Sequence, residues 1–129
     1  MRALFIGRWC PFHKGHLAIM QEKIDAGIPL LILVRDTKHD IYPADVRKEM
    51  IEAAMESVGA DAKVRIIDDI ESVNYGRGVG YKVEEVEVPV HMHDISATRI
   101  RQLINEKDLS WKEMIAPGAD TVLESYLNH

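Results

Sequence analysis

Two short, uninterrupted apolar runs near the start of the chain constrain the fold more than any other feature. Residues 3 to 7 read ALFIG, and residues 29 to 34 read PLLILV. Such runs, without polar alternation, are typical of strands buried on both faces of a sheet. Apolar residues recur at helical spacing from Lys14 to Ala26, and Gly27 is suited to end that helix. This order predicts a strand, a helix and a second strand.

The same alternation continues along the chain. A helical stripe covers residues 43 to 58, with Pro43 in its first turn, and residues 62 to 68 alternate as a third strand. We expect a fourth strand over 82 to 90, a helix over 94 to 106 and a last helix from Asp120 to Leu127. Alternating strands and helices predict a parallel sheet covered by helices, in a single domain over residues 1 to 129.

Charge and cysteine content exclude several classes of protein. The net charge of −5 lacks the basic excess of a protein that coats nucleic acid. The single cysteine, Cys10, excludes an internal disulfide and a cysteine-rich zinc site, and fits a reducing compartment. The first residues lack the apolar core of a signal peptide, and the longest apolar run, residues 28 to 34, is too short to cross a bilayer. We expect a cytoplasmic protein with neither nucleic-acid nor membrane partners.

The segment GRWCPFHKGH, residues 7 to 16, follows directly on the first predicted strand. In parallel sheets ligands bind at the carboxyl ends of the strands, which is where this segment lies. His13 and His16 can each donate a hydrogen bond to phosphate, and we expect free N–H groups at the start of the helix to add to them. Gly15 leaves room for a close approach, and the cations Arg8 and Lys14 flank the site. The pattern predicts a phosphate site.

The segment DISATRIR, residues 94 to 101, repeats this logic near the other end of the chain. Ser96 and Thr98 lie at a helix start, where such residues often only cap the helix. Basic residues in the first turns of a helix are electrostatically unfavourable, so Arg99 and Arg101 indicate a nearby anion. A second phosphate-binding element is therefore predicted.

These two segments resemble the signature of the HxGH nucleotidyltransferases, the cytidylyltransferase-like superfamily. GRWCPFHKGH and ISATRIR are most similar to the motifs of archaeal-type nicotinamide mononucleotide adenylyltransferases, and the tail WKEMIAPGADTVLESYL also resembles theirs. The resemblance implies a Rossmann-like three-layer α/β/α sandwich with a parallel sheet of four to five strands. It also implies transfer of a nucleoside monophosphate, AMP favoured, from a nucleoside triphosphate to a small phosphate-bearing acceptor. Mg²⁺ would assist and pyrophosphate would be released.

The resemblance further implies roles for individual residues. His13, His16 and Arg101 would carry catalysis. The nucleotide would be bound by residues of both motifs: Gly7, Arg8, Trp9, Lys14, Gly15, Ser96 and Thr98. Arg47 would meet a phosphate of the substrate, and Arg35 and Asp36, which follow the second strand, are expected to contact a substrate as well.

The sequence departs from the family pattern at two places. Trp9 and Cys10 replace a Phe-Gln pair, and residues 70 to 90 are too short for the crossover helix that precedes ISxT in the family. The glycine-rich loop GRGVG, residues 76 to 80, is a candidate replacement for a nucleotide-binding turn. A cytidylyltransferase acting on a small phosphorylated alcohol, and a nucleotide-binding module without turnover, stay open as alternatives, as does assembly into a homo-oligomer. His91 and His93 are read as a solvated strand end rather than a metal site.

Overall fold

The computed structural model describes all 129 residues and has an α/β fold built on an open parallel sheet. The strands are β1 (Ala3–Gly7), β2 (Leu30–Asp36) and β3 (Ala62–Asp68), in the order β1-β2-β3. Both pairings are parallel, and Phe5 and Val64 lie in register with Ile32 from either side. The central strand is thus β2, the most apolar of the three.

Four α-helices accompany the sheet: α1 (Lys14–Asp25), α2 (Ala44–Ser57), α3 (Ala97–Asn105) and α4 (Ala119–Leu127). Two short 3-10 helices cover Val90–Met92 and Leu109–Glu113. Helix α1 joins β1 to β2 and α2 joins β2 to β3, which confirms the two β-α-β units predicted from the sequence. No helix combines the length and the apolar character that crossing a membrane requires.

The core lies on one face of the sheet. Leu30, Ile32 and Val34, which point to the same face of β2, are fully buried, and Val64 of β3 extends this layer. Helix α2 packs on β2 and β3, and α4 packs on α2. On the opposite face Leu4 of β1 is 52% exposed. The sheet is therefore covered unequally, and the expected three-layer sandwich is not confirmed.

The expected fourth strand is absent. Residues 69 to 89 contain neither helix nor strand, so the sheet has three strands instead of four or five. A further parallel strand needs a crossover of a dozen or more residues, which this segment does not form. Glu84 instead pairs with Lys23 of α1 at 2.7 Å, and Pro89 lacks an N–H for a strand ladder. The segment with alternating valine and glutamate is thus exposed over residues 82 to 87 and contacts α1 through this ion pair.

Gly118, at the start of α4, is the glycine on which packing depends most. Its φ is 89°, and a Cβ there would lie 2.5 Å from the carbonyl oxygen of Ala53 in α2. We expect Gly118→Ala to lower the free energy of unfolding by about 3 kcal/mol, because backbone strain and a clash both oppose the methyl group. Gly27→Ala is the matched control, since Gly27 has a φ of 73° but nothing lies within 4 Å of its added Cβ. Urea denaturation of both variants gives the part of the loss that is due to the clash, since both positions have a positive φ. Equal losses in the free energy of unfolding would contradict a clash at Gly118.

Candidate active site

Helix α1 begins with two histidines that cap each other. His13 is the N-cap residue, and its Nδ1 accepts hydrogen bonds from the backbone N–H groups of Gly15 at 3.0 Å and His16 at 3.2 Å. In return Nδ1 of His16 accepts from the N–H of His13 at 3.2 Å. The rings stack with their centroids 3.6 Å apart. A Cβ on Gly15 would lie 2.9 Å from Cε1 of His13, so this capping box requires glycine between the histidines.

These hydrogen bonds fix the protonation of both rings. Because each Nδ1 accepts from a backbone N–H, each neutral ring carries its proton on Nε2. Burial lowers the pKa of His13 to about 4, and burial together with the neighbouring His13 lowers the pKa of His16 to about 3. At neutral pH both histidines are therefore uncharged, and each retains one donor, Nε2–H, for a ligand.

The lowered pKa values predict a loss of stability in acid. Each histidine titrates near 6.5 when unfolded but at about 4 (His13) or about 3 (His16) in the fold, so the unfolded chain binds more protons in between. The stability that the two neutral rings contribute to the fold is complete above pH 6.5. It is lost as the pH falls from 6.5 toward the pKa values of the folded protein. By pH 5 we expect a loss on the order of 2 kcal/mol for each histidine. Urea denaturation at pH 7.5 and at pH 5 measures the difference in the free energy of unfolding between the two pH values. His16→Asn, whose side chain does not titrate, should halve this difference. An unchanged difference would contradict the lowered pKa of His16.

The first backbone N–H groups of α1 are all bonded within the protein. Lys14, the first helical residue, donates its N–H to the carbonyl oxygen of Met114 at 2.9 Å, and those of Gly15 and His16 go to His13. The expectation of free N–H groups for phosphate at this helix start is therefore wrong. The imidazole Nε2–H groups and the side-chain ammonium of Lys14 are the donors that remain at this end of α1.

Trp9 supports the histidine pair from the side of the sheet. Its ring is buried, lies edge-on to His16 with centroids 5.0 Å apart, and donates Nε1–H to the carbonyl oxygen of Leu33 at 3.0 Å. A Cβ on Gly7 would lie 2.7 Å from the indole, so glycine at the end of β1 makes room for it. Gly7 and Trp9 thus hold His16 in place, and their contact with nucleotide stays a prediction.

Arg101 connects the second motif to the first. Ser96 is the N-cap residue of α3, and its Oγ accepts the N–H of Arg99 at 3.0 Å. Nη1 of Arg101 donates to the carbonyl oxygen of Cys10 at 2.7 Å, and Nη2 donates to Oγ1 of Thr98 at 3.3 Å. Cys10 belongs to the first motif, so one guanidinium joins segments 91 residues apart in the chain.

Arg8, just after β1, is paired with Asp40 of the loop that follows β2. Nε of Arg8 donates to Oδ1 of Asp40 at 2.8 Å, and Nη2 contacts the same oxygen. The hydrogen bond and the charge of Asp40 raise the pKa of Arg8 above its ordinary value. The Arg8 side chain is 54% exposed, so the first motif presents this cation at the surface.

Arg47 of α2 is engaged entirely with the protein. Its side chain is 1% exposed, and Nε donates to the carbonyl oxygen of Tyr42 at 2.8 Å. Nη1 donates to the carbonyl oxygens of Arg8 at 2.6 Å and Arg35 at 3.1 Å, and Nη2 lies 3.5 Å from Oδ2 of Asp40. Arg47 therefore ties together the segments that follow β1 and β2, and its contact with a substrate phosphate stays a prediction.

The two other residues expected to contact a substrate, Arg35 and Asp36, lie at the end of β2. Arg35 donates through Nε and Nη2 to Oδ1 of Asp69, at 3.0 and 2.7 Å. Asp36 accepts the backbone N–H of Lys38 at 3.0 Å and shapes the following turn. Both lie at the carboxyl edge of the sheet, as predicted, but neither contacts the histidine pair or Arg101 in this structure.

Comparison with known proteins identifies the family, although no family model matches the chain. The chain is 34% identical to nicotinamide-nucleotide adenylyltransferase 1 of Sulfolobus acidocaldarius, over 89% of this chain and 84% of that protein. The chain belongs to the nicotinamide-nucleotide adenylyltransferase family. Two further members, from Methanococcus maripaludis and Methanococcus aeolicus, are 31% and 28% identical, over 88% and 96% of this chain and 67% and 88% of those proteins. The resemblance found in the motifs is confirmed, and the chain is an adenylyltransferase.

This adenylyltransferase is shorter than the Sulfolobus acidocaldarius and Methanococcus aeolicus proteins within the aligned regions. The alignment to the Sulfolobus protein has 149 positions but includes 89% of a 129-residue chain, about 115 residues, so more than 30 positions have no counterpart here. The Methanococcus aeolicus alignment, with 155 positions and 96% of the chain, has a similar excess. The sequence predicts a shortened middle region, and residues 69 to 89 contain neither helix nor strand.

Asp40 is the residue of this site that sequence reasoning missed. It lies in the loop RDTKHD, which offers several charged residues and no motif that singles one out. Its side chain is nonetheless 1% exposed and contacts both Arg8 and Arg47 of this adenylyltransferase. Burial of an aspartate between two arginines results from tertiary packing, and no local sequence pattern predicts it.

Proposed function

We propose that this adenylyltransferase transfers the AMP moiety of ATP to nicotinamide mononucleotide and releases pyrophosphate, as one nucleotidyltransferase domain over residues 1 to 129. The observation that carries the proposal is the 2.7 Å hydrogen bond from Arg101 to the carbonyl oxygen of Cys10. It places the second motif beside the first, as two elements acting on one triphosphate require. The names of the relatives supply the acceptor.

In this proposal the histidine pair binds the α-phosphate. His13 and His16 are neutral, and their Nε2–H groups are the donors left after capping. Donors that are already fixed stabilise the charge that develops in a transition state without reorganising during the reaction. Stacking and backbone capping hold both rings in this way, so we assign transition-state stabilisation to them.

Arg101, Ser96 and Thr98 are suited to hold the leaving group. Arg101 uses one N–H on Cys10 and one on Thr98, and the remaining N–H groups of its guanidinium are left for phosphate oxygens. The Ser96 and Thr98 side chains are exposed at the start of α3. We propose that this group binds the β- and γ-phosphates as pyrophosphate departs.

The reaction needs no general base. A phosphate oxygen of the acceptor attacks the α-phosphorus of ATP and forms the new P–O bond. The bond from the α-phosphorus to the oxygen bridging it to the β-phosphorus breaks, and pyrophosphate leaves with that oxygen. An ionised phosphate is the nucleophile, so no proton has to be removed in this step, and catalysis depends on positioning and charge stabilisation. Neutral imidazoles that only donate hydrogen bonds fit this requirement.

Mg²⁺ is proposed to enter as part of the substrate. The structure contains no group of three or more His, Cys, Asp or Glu side chains placed to hold a metal ion. Mg²⁺ commonly keeps several waters and binds substrate phosphates rather than a protein cage. We therefore propose that the MgATP complex is the nucleotide substrate, with the ion held by the phosphates.

Pyrophosphate release tests this function directly. ATP, CTP, GTP and UTP are each combined with nicotinamide mononucleotide, glycerol 3-phosphate or phosphocholine in the presence of Mg²⁺. We expect release with ATP and nicotinamide mononucleotide, with the dinucleotide formed in equal amount. A double variant that carries both His13→Ala and His16→Ala, purified identically, controls for a contaminating enzyme.

Two other outcomes would replace the proposal. Turnover of CTP with a phosphorylated alcohol would identify a cytidylyltransferase. ATP that raises the melting temperature without any pyrophosphate release would identify a nucleotide-binding module.

A further inference from the structure

Asp40 is a buried carboxylate that the reaction scheme leaves without a role. Its Oδ1 accepts hydrogen bonds from Nε and Nη2 of Arg8, and its Oδ2 accepts from Oγ1 of Thr37 at 2.7 Å. Nη2 of Arg47 lies 3.5 Å from the same Oδ2. Both carboxylate oxygens are thus engaged, Oδ1 by Arg8 and Oδ2 by Thr37 and Arg47, and the side chain is 1% exposed.

Asp40 stays ionised in this environment. Burial raises the pKa of Asp40, but hydrogen bonds from Arg8 and Thr37 and the charge of Arg47 outweigh it, and the pKa lies below its ordinary value. One anion therefore lies between two cations, and the group as a whole retains a positive charge. That excess charge is exposed at Arg8, because Arg47 is buried.

The geometry leaves one edge of the Arg8 guanidinium free. Nε and Nη2 both point to Asp40, whereas Nη1 has no hydrogen-bond partner in the structure. The backbone of Arg8 is fixed as well, because its carbonyl oxygen accepts from Nη1 of Arg47 at 2.6 Å. Arg8 is thus held at its main chain and at one edge of its guanidinium. It lies two residues before Cys10, whose carbonyl oxygen accepts a hydrogen bond from Arg101.

We propose that Asp40 is a positioning residue that holds the guanidinium of Arg8 so that its free edge binds a phosphate of a substrate. The proposal rests on the proposed function in taking that phosphate from ATP or from the acceptor nucleotide. A long arginine side chain at the surface otherwise samples many rotamers, and a fixed fork binds phosphate with two oriented N–H groups. Asp40 acts only through Arg8 and touches no reacting atom.

A double-mutant cycle between Asp40 and Arg8 tests the proposal. We expect Asp40→Asn to raise KM for ATP or for the acceptor about tenfold, with kcat changed less than about threefold. In an Arg8→Ala background, Asp40→Asn should change the KM of the responsive substrate less than about twofold, because the arginine through which Asp40 acts is absent. The substrate whose KM responds identifies the phosphate that Arg8 binds. An unchanged KM for both substrates, or an equal rise in both backgrounds, would overturn the proposal.

Two further variants separate positioning from general damage. Asp61→Asn removes a carboxylate that pairs with Arg2 at the other end of the sheet, at 3.1 Å, and should leave both KM values unchanged. Asp40→Glu keeps a negative charge beside Arg47 but displaces the carboxylate by one methylene. It should therefore fold even where Asp40→Asn does not, and should still raise the responsive KM; wild-type KM values in Asp40→Glu would refute the role.

A readout without turnover keeps this proposal separate from the proposed function. The Nε–H of Arg8, bonded to Asp40 in wild type, is followed by proton-exchange NMR in the protein without ligands. We expect its exchange to become at least about tenfold faster in Asp40→Asn or Asp40→Glu. Equal exchange in all three proteins would overturn the positioning role, whereas absent turnover in wild type would overturn only the proposed function.

Discussion

Replacement of His16 by Ala is expected to lower kcat by about 10²- to 10³-fold while changing KM for ATP less than about threefold. Nε2–H of His16 is one of two fixed donors directed from the start of α1, and removal of one such donor from a preorganised site has effects of this size. Arg101, Ser96 and Thr98 are left intact and continue to bind the rest of the triphosphate, so ground-state binding changes little.

Steady-state kinetics on three proteins distinguish chemistry from structure at this position. His16→Gln is the matched variant, because its side-chain amide can donate near the position of Nε2, and we expect it to recover about tenfold of the lost kcat. The free energies of unfolding of both variants report the loss of the capping box separately. If KM for ATP rises as much as kcat falls, His16 contributes uniform binding rather than transition-state stabilisation.

The first half of the fold was predictable because its determinants are local. The apolar runs around Phe5 and Ile32 and the helical stripe that follows each of them give the two β-α-β units directly, and residues 62 to 68 form a strand with the expected limits. The motif His13-x-Gly15-His16 was likewise predictable, since its glycine and two histidines lie within four residues at one strand–helix junction. What the sequence did not indicate was that the histidines bind the helix N–H groups themselves.

The parts that were not predictable depend on contacts between distant segments. Valine-glutamate alternation over residues 82 to 90 is the pattern of a half-buried strand, but a strand also needs a neighbour, and no crossover delivers this segment to the sheet. The motif around Arg47 predicts a phosphate ligand. Its three carbonyl acceptors belong to Arg8, just after β1, to Arg35 at the end of β2 and to Tyr42, and only the folded sheet brings them together. Asp40 has no signal of its own, because its burial follows from that of Arg47.

Among the substitutions considered, replacement of Arg47 has the largest expected effect on stability. Arg47→Met keeps much of the side-chain volume but removes the guanidinium that donates to the carbonyl oxygens of Arg8, Arg35 and Tyr42, of which the bond to Tyr42 is buried. It also removes one of the two cations that stabilise the buried Asp40 carboxylate. Removal of one partner from a buried charged network destabilises by about 3 to 5 kcal/mol, and we expect a loss in this range.

Urea denaturation of the variant, with Arg65→Met beside it, measures this effect. Arg65 is exposed on β3, and the one hydrogen bond of its side chain is to the carbonyl oxygen of the preceding Val64. Arg65→Met should therefore change the free energy of unfolding by less than about 0.5 kcal/mol. A small effect at both positions would mean that water replaces the Arg47 guanidinium and that the segments after β1 and β2 are held by other contacts. A large effect at Arg47 alone would establish that the residue resembling a phosphate ligand is also the one that assembles the loop bearing Arg8.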